Sequence, residues 1–221
     1  MPIEKMIPLM TTGVCDTLYM TLVSTLFAYL LGFPLAILLV LTSPKGLKPI
    51  PVLYRIMDAI VNIFRSIPFL ILLIMVIPLT RLIAGKAYGS TATIVPLVIA
   101  AAPYVARMIE SSLLEVDPGV IEMAQSAGAS IPTIVFKVLI PEAKTSLIVG
   151  ATISTGTILG YSAMSGAVGG GGLGQIAISY GYNRYQTSVM LVTVVLLVIL
   201  MQIFQIVGMT IARKTDKRTR E

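Results

Sequence analysis

The run Gly169-Gly170-Gly171-Gly172-Leu173-Gly174-Gln175 is the first place to look for chemistry, because successive amides in a glycine turn can cradle a phosphate. It lacks the Gly-Lys-Ser/Thr ending that such a loop needs, so nucleotide binding there is rejected. Acid–base chemistry has little more to work with. The chain holds no histidine, so the usual general base is missing. Six carboxylates, Asp58, Glu110, Glu115, Asp117, Glu122 and Glu142, fall at the expected ends of apolar runs or in loops. Cys15 is the single cysteine, which excludes an internal disulfide and argues against a His/Cys metal site. No catalytic residue, metal site or cofactor is expected.

A charged residue inside an apolar run is costly and marks a functional candidate by default. Arg65 is such a residue. The favoured reading is that it snorkels to the nearby interface, since Arg55 lies close before it. Arg107 and Glu110 stand i, i+3 on one expected helix and are read as a structural pair. Gly150, Ala151, Thr152, Ser154, Thr155, Gly156, Thr157 and Gly160 crowd one apolar run, with Gly156 and Gly160 forming a GxxxG. Small faces of this kind allow close helix contact. Packing within one subunit and a face on a path or two-fold axis fit it equally.

The elements that must position these residues are membrane spans. The 221 residues are 56% hydrophobic and only 12% charged, with a mean hydropathy of +0.93, whereas soluble domains run nearer a quarter charged. One compact, all-α membrane domain fits the length. Roughly 20 residues cross the hydrocarbon, which places five spans at about 14–41, 56–82, 91–111, 146–164 and 187–212. The first run is too long for a signal-peptide core and follows no basic stretch, so it reads as a retained span behind an external segment, 1–13. A coupling region fills 115–144, and a basic tail covers 213–221. Five spans put the termini on opposite sides. Lys45, Lys48, Arg55, Lys137, Lys144 and the tail then share one side, the cytoplasm by the positive-inside rule. Lys5, Arg81, Lys86 and Arg184 stay outside. The N-terminus is therefore expected outside and the C-terminus in the cytoplasm. The net charge of +6 follows from this sorting and from anionic headgroups, and does not suggest nucleic acid.

Between the third and fourth spans lies a polar island, Glu122 to Pro141. Asp117 suits a helix N-cap and Pro118 the first helical position. Val120, Ala124, Ala127, Gly128 and Ile131 fall on one helical stripe, with Glu122, Gln125 and Ser126 off it. Gly128 leaves room for another group to come close. Ser130 can cap a second short helix, which Pro141 interrupts. A small apolar stripe on a surface helix makes a plausible knob for a socket on another protein.

The island resembles the EAA loop of ABC importer permeases, Glu-Ala-Ala, three residues, Gly, nine residues, Ile-x-Leu-Pro. Glu122, Ala124, Gly128 and Pro141 match, while Met123, Val138 and Ile140 depart conservatively. Further segments are similar to the methionine importer permeases of the ABC transmembrane type-1 family. They are Phe64-Arg65-Ser66-Ile67-Pro68-Phe69, Ala101-Ala102-Pro103-Tyr104-Val105-Ala106-Arg107-Met108 and Gly160-Tyr161-Ser162-Ala163-Met164. The likeness runs from about Asp16 to Val207. It implies the ABC type I importer permease fold, five transmembrane helices with a cytoplasmic coupling helix, in a bacterial inner membrane. It also implies a homodimer, two ATP-binding cassette ATPase subunits and an external lipoprotein that delivers D- or L-methionine. The permease would hold no nucleotide site of its own. On this reading Glu122, Ala124, Gly128, Ile131 and Pro141 couple to the ATPase, and Ser154, Gly160, Tyr161, Ser162 and Met164 are candidates for the path or gate. The glycine-rich segment beside them reads as part of an external gate or as a flexible outer loop. Alternatives are a permease for another polar amino acid or small zwitterion, an ion-coupled secondary carrier, or a non-transporting scaffold. Five spans do not divide into equal inverted repeats, and no mid-span acid is evident, which weighs against the carrier.

Overall fold

The computed structural model describes residues 3–216, and every regular element among them is helical. Helix α1, Ile3–Thr42, has 40 residues. At 1.5 Å per residue it is about 60 Å long, twice the hydrocarbon thickness. The expected external segment is thus helical from Ile3 onward and continuous with the first span. Met10 explains why: it is buried with Leu159, Leu173, Ile176, Val189 and Leu200. The basic loop that follows folds back on the helix end, with the Lys48 and Ile50 amides donating to the Leu41 and Thr42 carbonyls at 3.0 Å each.

The stretch expected as a second span, 56–82, is not one helix. Helix α2, Pro51–Ser66, meets α3, Phe69–Met75, at a bend of 101°. The cause is Ile67-Pro68. Proline disfavours helical geometry in the residue before it, and Pro68 itself is extended, with ψ 131°. Helix α4, Ile77–Ala84, begins after a second break at Val76 and stops at Gly85, which is left-handed with φ +71°. Helix α2 is amphipathic. Met57 and Val61 pack with Leu39, Val52, Ile56, Ile60 and Ile63 are exposed, and Asp58 and Asn62 carry a polar edge.

Helix α5 spans Ser90–Leu114. The polar island forms α6, Pro118–Ser126, α7, Ile131–Ile134, a π turn at Val135–Leu139 and α8, Ile140–Glu142. Helix α9 is Lys144–Ser165 and α10 is Gly172–Ile176, followed by a π turn at Ala177–Tyr182. Helix α11, Thr187–Thr215, ends on Arg213 and Lys214, cations that suit the negative end of the helix dipole. Of the basic tail, 217–221 lie outside the described residues. Among the described residues, four stretches are long and apolar enough to cross a bilayer: Glu4–Thr42, Ser90–Leu114, Lys144–Tyr182 and Thr187–Thr215. The bent pair α2 and α3 makes five if counted as one span.

The contacts resolve into two compact units. One takes Met1–Ala28, Ile67–Ala101 and Thr155–Gln205. Besides the Met10 cluster it holds Met20, Phe69, Leu73 and Leu97, and Phe69 stacks on Tyr161 with ring centroids 4.5 Å apart. The other takes Tyr29–Ser66, Ala102–Ser154 and Ile206–Glu221. In hydrocarbon an apolar side chain gains little by leaving lipid for protein, so helices associate where backbones can come close. Gly208 of α11 shows this in the second unit. A Cβ there would collide with the Thr152 side chain on α9.

Candidate functional site

The island around Glu122 is the best defined of the candidate sites. Asp117 caps α6, its carboxylate accepting from the Gly119 amide at 2.7 Å, and Pro118 opens the helix. None of the nine residues of α6 is buried. Glu122, Gln125 and Met123 point outward, Met123 at 67% exposure. The helix closes on Gly128, with φ +76°. The Gly128 amide donates to Gln125 O at 2.9 Å and the Ala129 amide to Ala124 O at 3.1 Å. These are the two bonds of a Schellman motif, with glycine at the left-handed position.

That closure corrects the expected stripe. Val120 and Ala124 do lie on one helix, but Ala127 is its C-cap, Gly128 is beyond it and Ile131 starts α7. Nothing in this chain lies within 4 Å of a Cβ built on Gly128, so room for a group from a partner is left there. Within the chain it is the left-handed backbone that favours glycine at this position. The pattern Gln-Ser-Ala-Gly after an acid-capped helix carries this signal, a glycine just past the last helical residue. Ser130 sits at the N-cap of α7 with its hydroxyl on Thr133 at 2.9 Å instead of on a backbone amide. Pro141 has no N–H and its ring would strike the carbonyl four residues back. The π turn at Val135–Leu139 lies just ahead of it. Ile134, Val135, Leu139 and Ala143 are buried and anchor this arm, and α6 lies against its π turn. Phe136 is left 62% exposed.

In the same unit, Arg107 does more than pair with Glu110. Its Nη1 donates to Glu110 Oε2 at 2.7 Å, while Nη2 donates to Asp58 Oδ1 and, at 3.0 Å, to Asn62 Oδ1. The Asn62 amide donates to Asp58 Oδ2 at 3.0 Å. One guanidinium thus clamps α2 to α5. The i, i+3 spacing revealed only half of this. The missed signal was Asp58 and Asn62 at i, i+4, a polar edge on an apolar helix that needs a partner. Arg65 is exposed and makes no ion pair among the described residues.

The path candidates do not gather at one point. Along α9, Ser154 and Ser162 are buried on one face with Ile158 and Ser165, Ser154 beside the Tyr29 hydroxyl. The Ser162 hydroxyl donates to Leu159 O at 2.7 Å. Gly160 and Met164 share the exposed face, and Gly160 looks onto open space. Tyr161 lies between, stacked on Phe69. Of the GxxxG pair, Gly156 packs against Met201 within the subunit.

The glycine-rich segment is closely packed. Gly174 sits so close to Ala163 that a Cβ would overlap its backbone, and Gly166 is equally close to Gly174. The Gly171 amide donates to Gln175 Oε1 at 2.8 Å and the Leu173 amide to Thr17 Oγ1 at 2.9 Å. The Thr93 hydroxyl donates to Gly170 O at 3.0 Å, and the Gly89 amide to Gly169 O at 2.9 Å. The Gly171 and Leu173 amides are therefore already bonded, and the segment is pinned to α1 and α5.

Four likenesses bear on these arrangements. Residues 28–221 match the family model of the binding-protein-dependent transport system inner membrane component. A probable D-methionine transport system permease protein MetI of Vibrio cholerae is 48% identical over 95% of this chain and 93% of its own. The D-methionine transport system permease protein MetI of Escherichia coli K12 is 50% identical over 74% of this chain and 75% of its own. A solved structure of the MetNI methionine ABC transporter in inward-facing conformations superposes with a TM-score of 0.96 at 49% identity, covering 98% of this chain and 100% of that one. The chain belongs to the family of binding-protein-dependent transport system inner membrane components, as an ABC permease of the MetI type.

Proposed function

We propose that this chain is the membrane subunit of an ATP-driven methionine importer, working as a homodimer with two ATPase subunits and fed by an external binding lipoprotein. The observation that carries the coupling is α6: a helix capped at both ends with no residue buried in its own chain. It offers Glu122 and Met123 to a partner, with Ala124, Gly128 and Ile131 setting its shape and Pro141 ending the arm behind it. ATP-driven closure of the partner pair moves α6. The buried anchor Ile134, Val135, Leu139 and Ala143 passes that motion into the spans, and access switches from one side to the other. ATP would be hydrolysed by the partner subunits: the glycine run of this chain lacks the Gly-Lys-Ser/Thr ending of a phosphate loop, and its Gly171 and Leu173 amides bond inside the chain. Lys45, Lys48, Arg55, Lys137 and Lys144 support an inner side that carries α6, with the N-terminus outside. Ser154, Gly160, Tyr161, Ser162 and Met164 remain the path and gate candidates.

The test is uptake of radiolabelled methionine into proteoliposomes bearing the full complex with its binding protein. ATP-dependent accumulation that unlabelled D- or L-methionine abolishes, and other amino acids do not, is expected. Accumulation without ATP, or equal competition by unrelated amino acids, would overturn the reading.

A further inference from the structure

A cavity of about 390 Å³ opens within one unit, between the early turns of α1 and the segment running from the glycine turn to Arg184. Small-molecule pockets begin near this size, at roughly 300–1,000 Å³. Its walls carry one acid and one base, Asp16 and Arg184. Asp16 is half-buried on α1 near Thr12, Gly13 and Thr17, and among the described residues no hydrogen bond or ion pair reaches it. A carboxylate on such a wall, with no partner of its own, attracts a cation that enters the cavity. The Arg184 guanidinium does not supply one. It sits over the Tyr180 ring, 4.4 Å from the centroid. Leu9, Ile176 and Tyr180 give the same cavity an apolar wall. The Gln175 side chain is fixed there through its oxygen, which accepts from Gly171, leaving its NH2 free to donate.

Opposite charges that line one cavity without touching suit a ligand that carries both charges itself. We propose that this cavity binds a zwitterionic α-amino acid, its ammonium on Asp16, its carboxylate on Arg184 and its side chain against Leu9, Ile176 and Tyr180. Guanidinium matches carboxylate in a planar, two-bonded fork, so Arg184 sets the orientation. The site lies at the end of the chain that the transport reading places outside, and only that placement and the choice of methionine as probe rest on that reading. There it would hold substrate released at the outer mouth before the spans rearrange.

The test is scintillation-proximity binding of tritiated L-methionine to the full-length chain in nanodiscs, without binding protein or ATPase. Saturable binding is expected. Competition by 4-(methylthio)butanoate, which lacks the ammonium, and by 3-(methylthio)propylamine, which lacks the carboxylate, should be at least tenfold weaker than by methionine. Asp16→Asn should erase the preference over the first analogue, and Arg184→Gln the preference over the second. Asp16→Glu and Arg184→Lys should keep them in part. A purely structural pair of charges would change melting temperature in these variants and leave the analogue preferences alone. No saturable binding to the wild type, or unchanged preferences in both variants, overturns the site. The uptake assay separates the two readings. Methionine uptake with no binding here sinks only the cavity, whereas binding here in a complex that does not accumulate methionine sinks only the importer.

Discussion

Gly128 shows how backbone geometry alone can favour one residue type. Its φ of +76° lies where an L side chain costs about 1–2 kcal/mol, and open space surrounds it. Gly128→Asn should therefore preserve uptake to within about twofold, because asparagine tolerates that geometry. Gly128→Val should cut it severely by unravelling the end of α6. Loss with both variants would instead mean that a partner needs the bare backbone. Arg107 makes the complementary case. Removing it strands Glu110, which is 2% exposed, and breaking such a pair costs about 3–5 kcal/mol. Arg107→Ala should lower the melting temperature of the purified chain well below that of Glu110→Gln, which removes the buried charge. Equal melting of the two would refute a clamp centred on the arginine.

Elements set what each residue can reach. Pro68 splits the second apolar stretch: in one unit the Asp58 and Asn62 edge of α2 meets Arg107, and in the other Phe69 of α3 stacks on Tyr161. In the glycine turn the interlock is backbone on backbone, so Gly174→Ala forces a shift that overpacking precedents put at about 1–3 kcal/mol. Reduced yield and melting temperature are expected for it. Gly160→Ala meets nothing within 4 Å and should leave stability alone. If it nonetheless blocks uptake, the exposed face of α9 serves the path or a second copy. The caps of α6 were legible because they are local: Asp117 and Pro118 act within one turn. The stripe through Ile131 was not, because a periodicity count passes over a glycine that ends the helix.

At the scale of the molecule, the charge distribution predicts which ends face the cytoplasm. In a Cys15→Ala background, Lys48→Cys should react with a membrane-impermeant maleimide only in opened or inverted vesicles, and Lys86→Cys in intact cells. Both positions are exposed, so access reports sidedness and not burial. The reverse pattern would invert the topology and place α6 outside, away from any ATPase. Sequence alone determined the membrane class, the apolar runs, the acid-capped helix near Glu122 and the likeness to importer permeases. All of these depend on composition or on neighbours within a few turns. Tertiary structure decided that Asp58 and Asn62 complete the Arg107 clamp, that the glycine run is locked through Thr17 and Thr93, and that Asp16 shares a cavity with Arg184. Each joins residues far apart in the chain, and no helical period encodes which distant turn a side chain will meet.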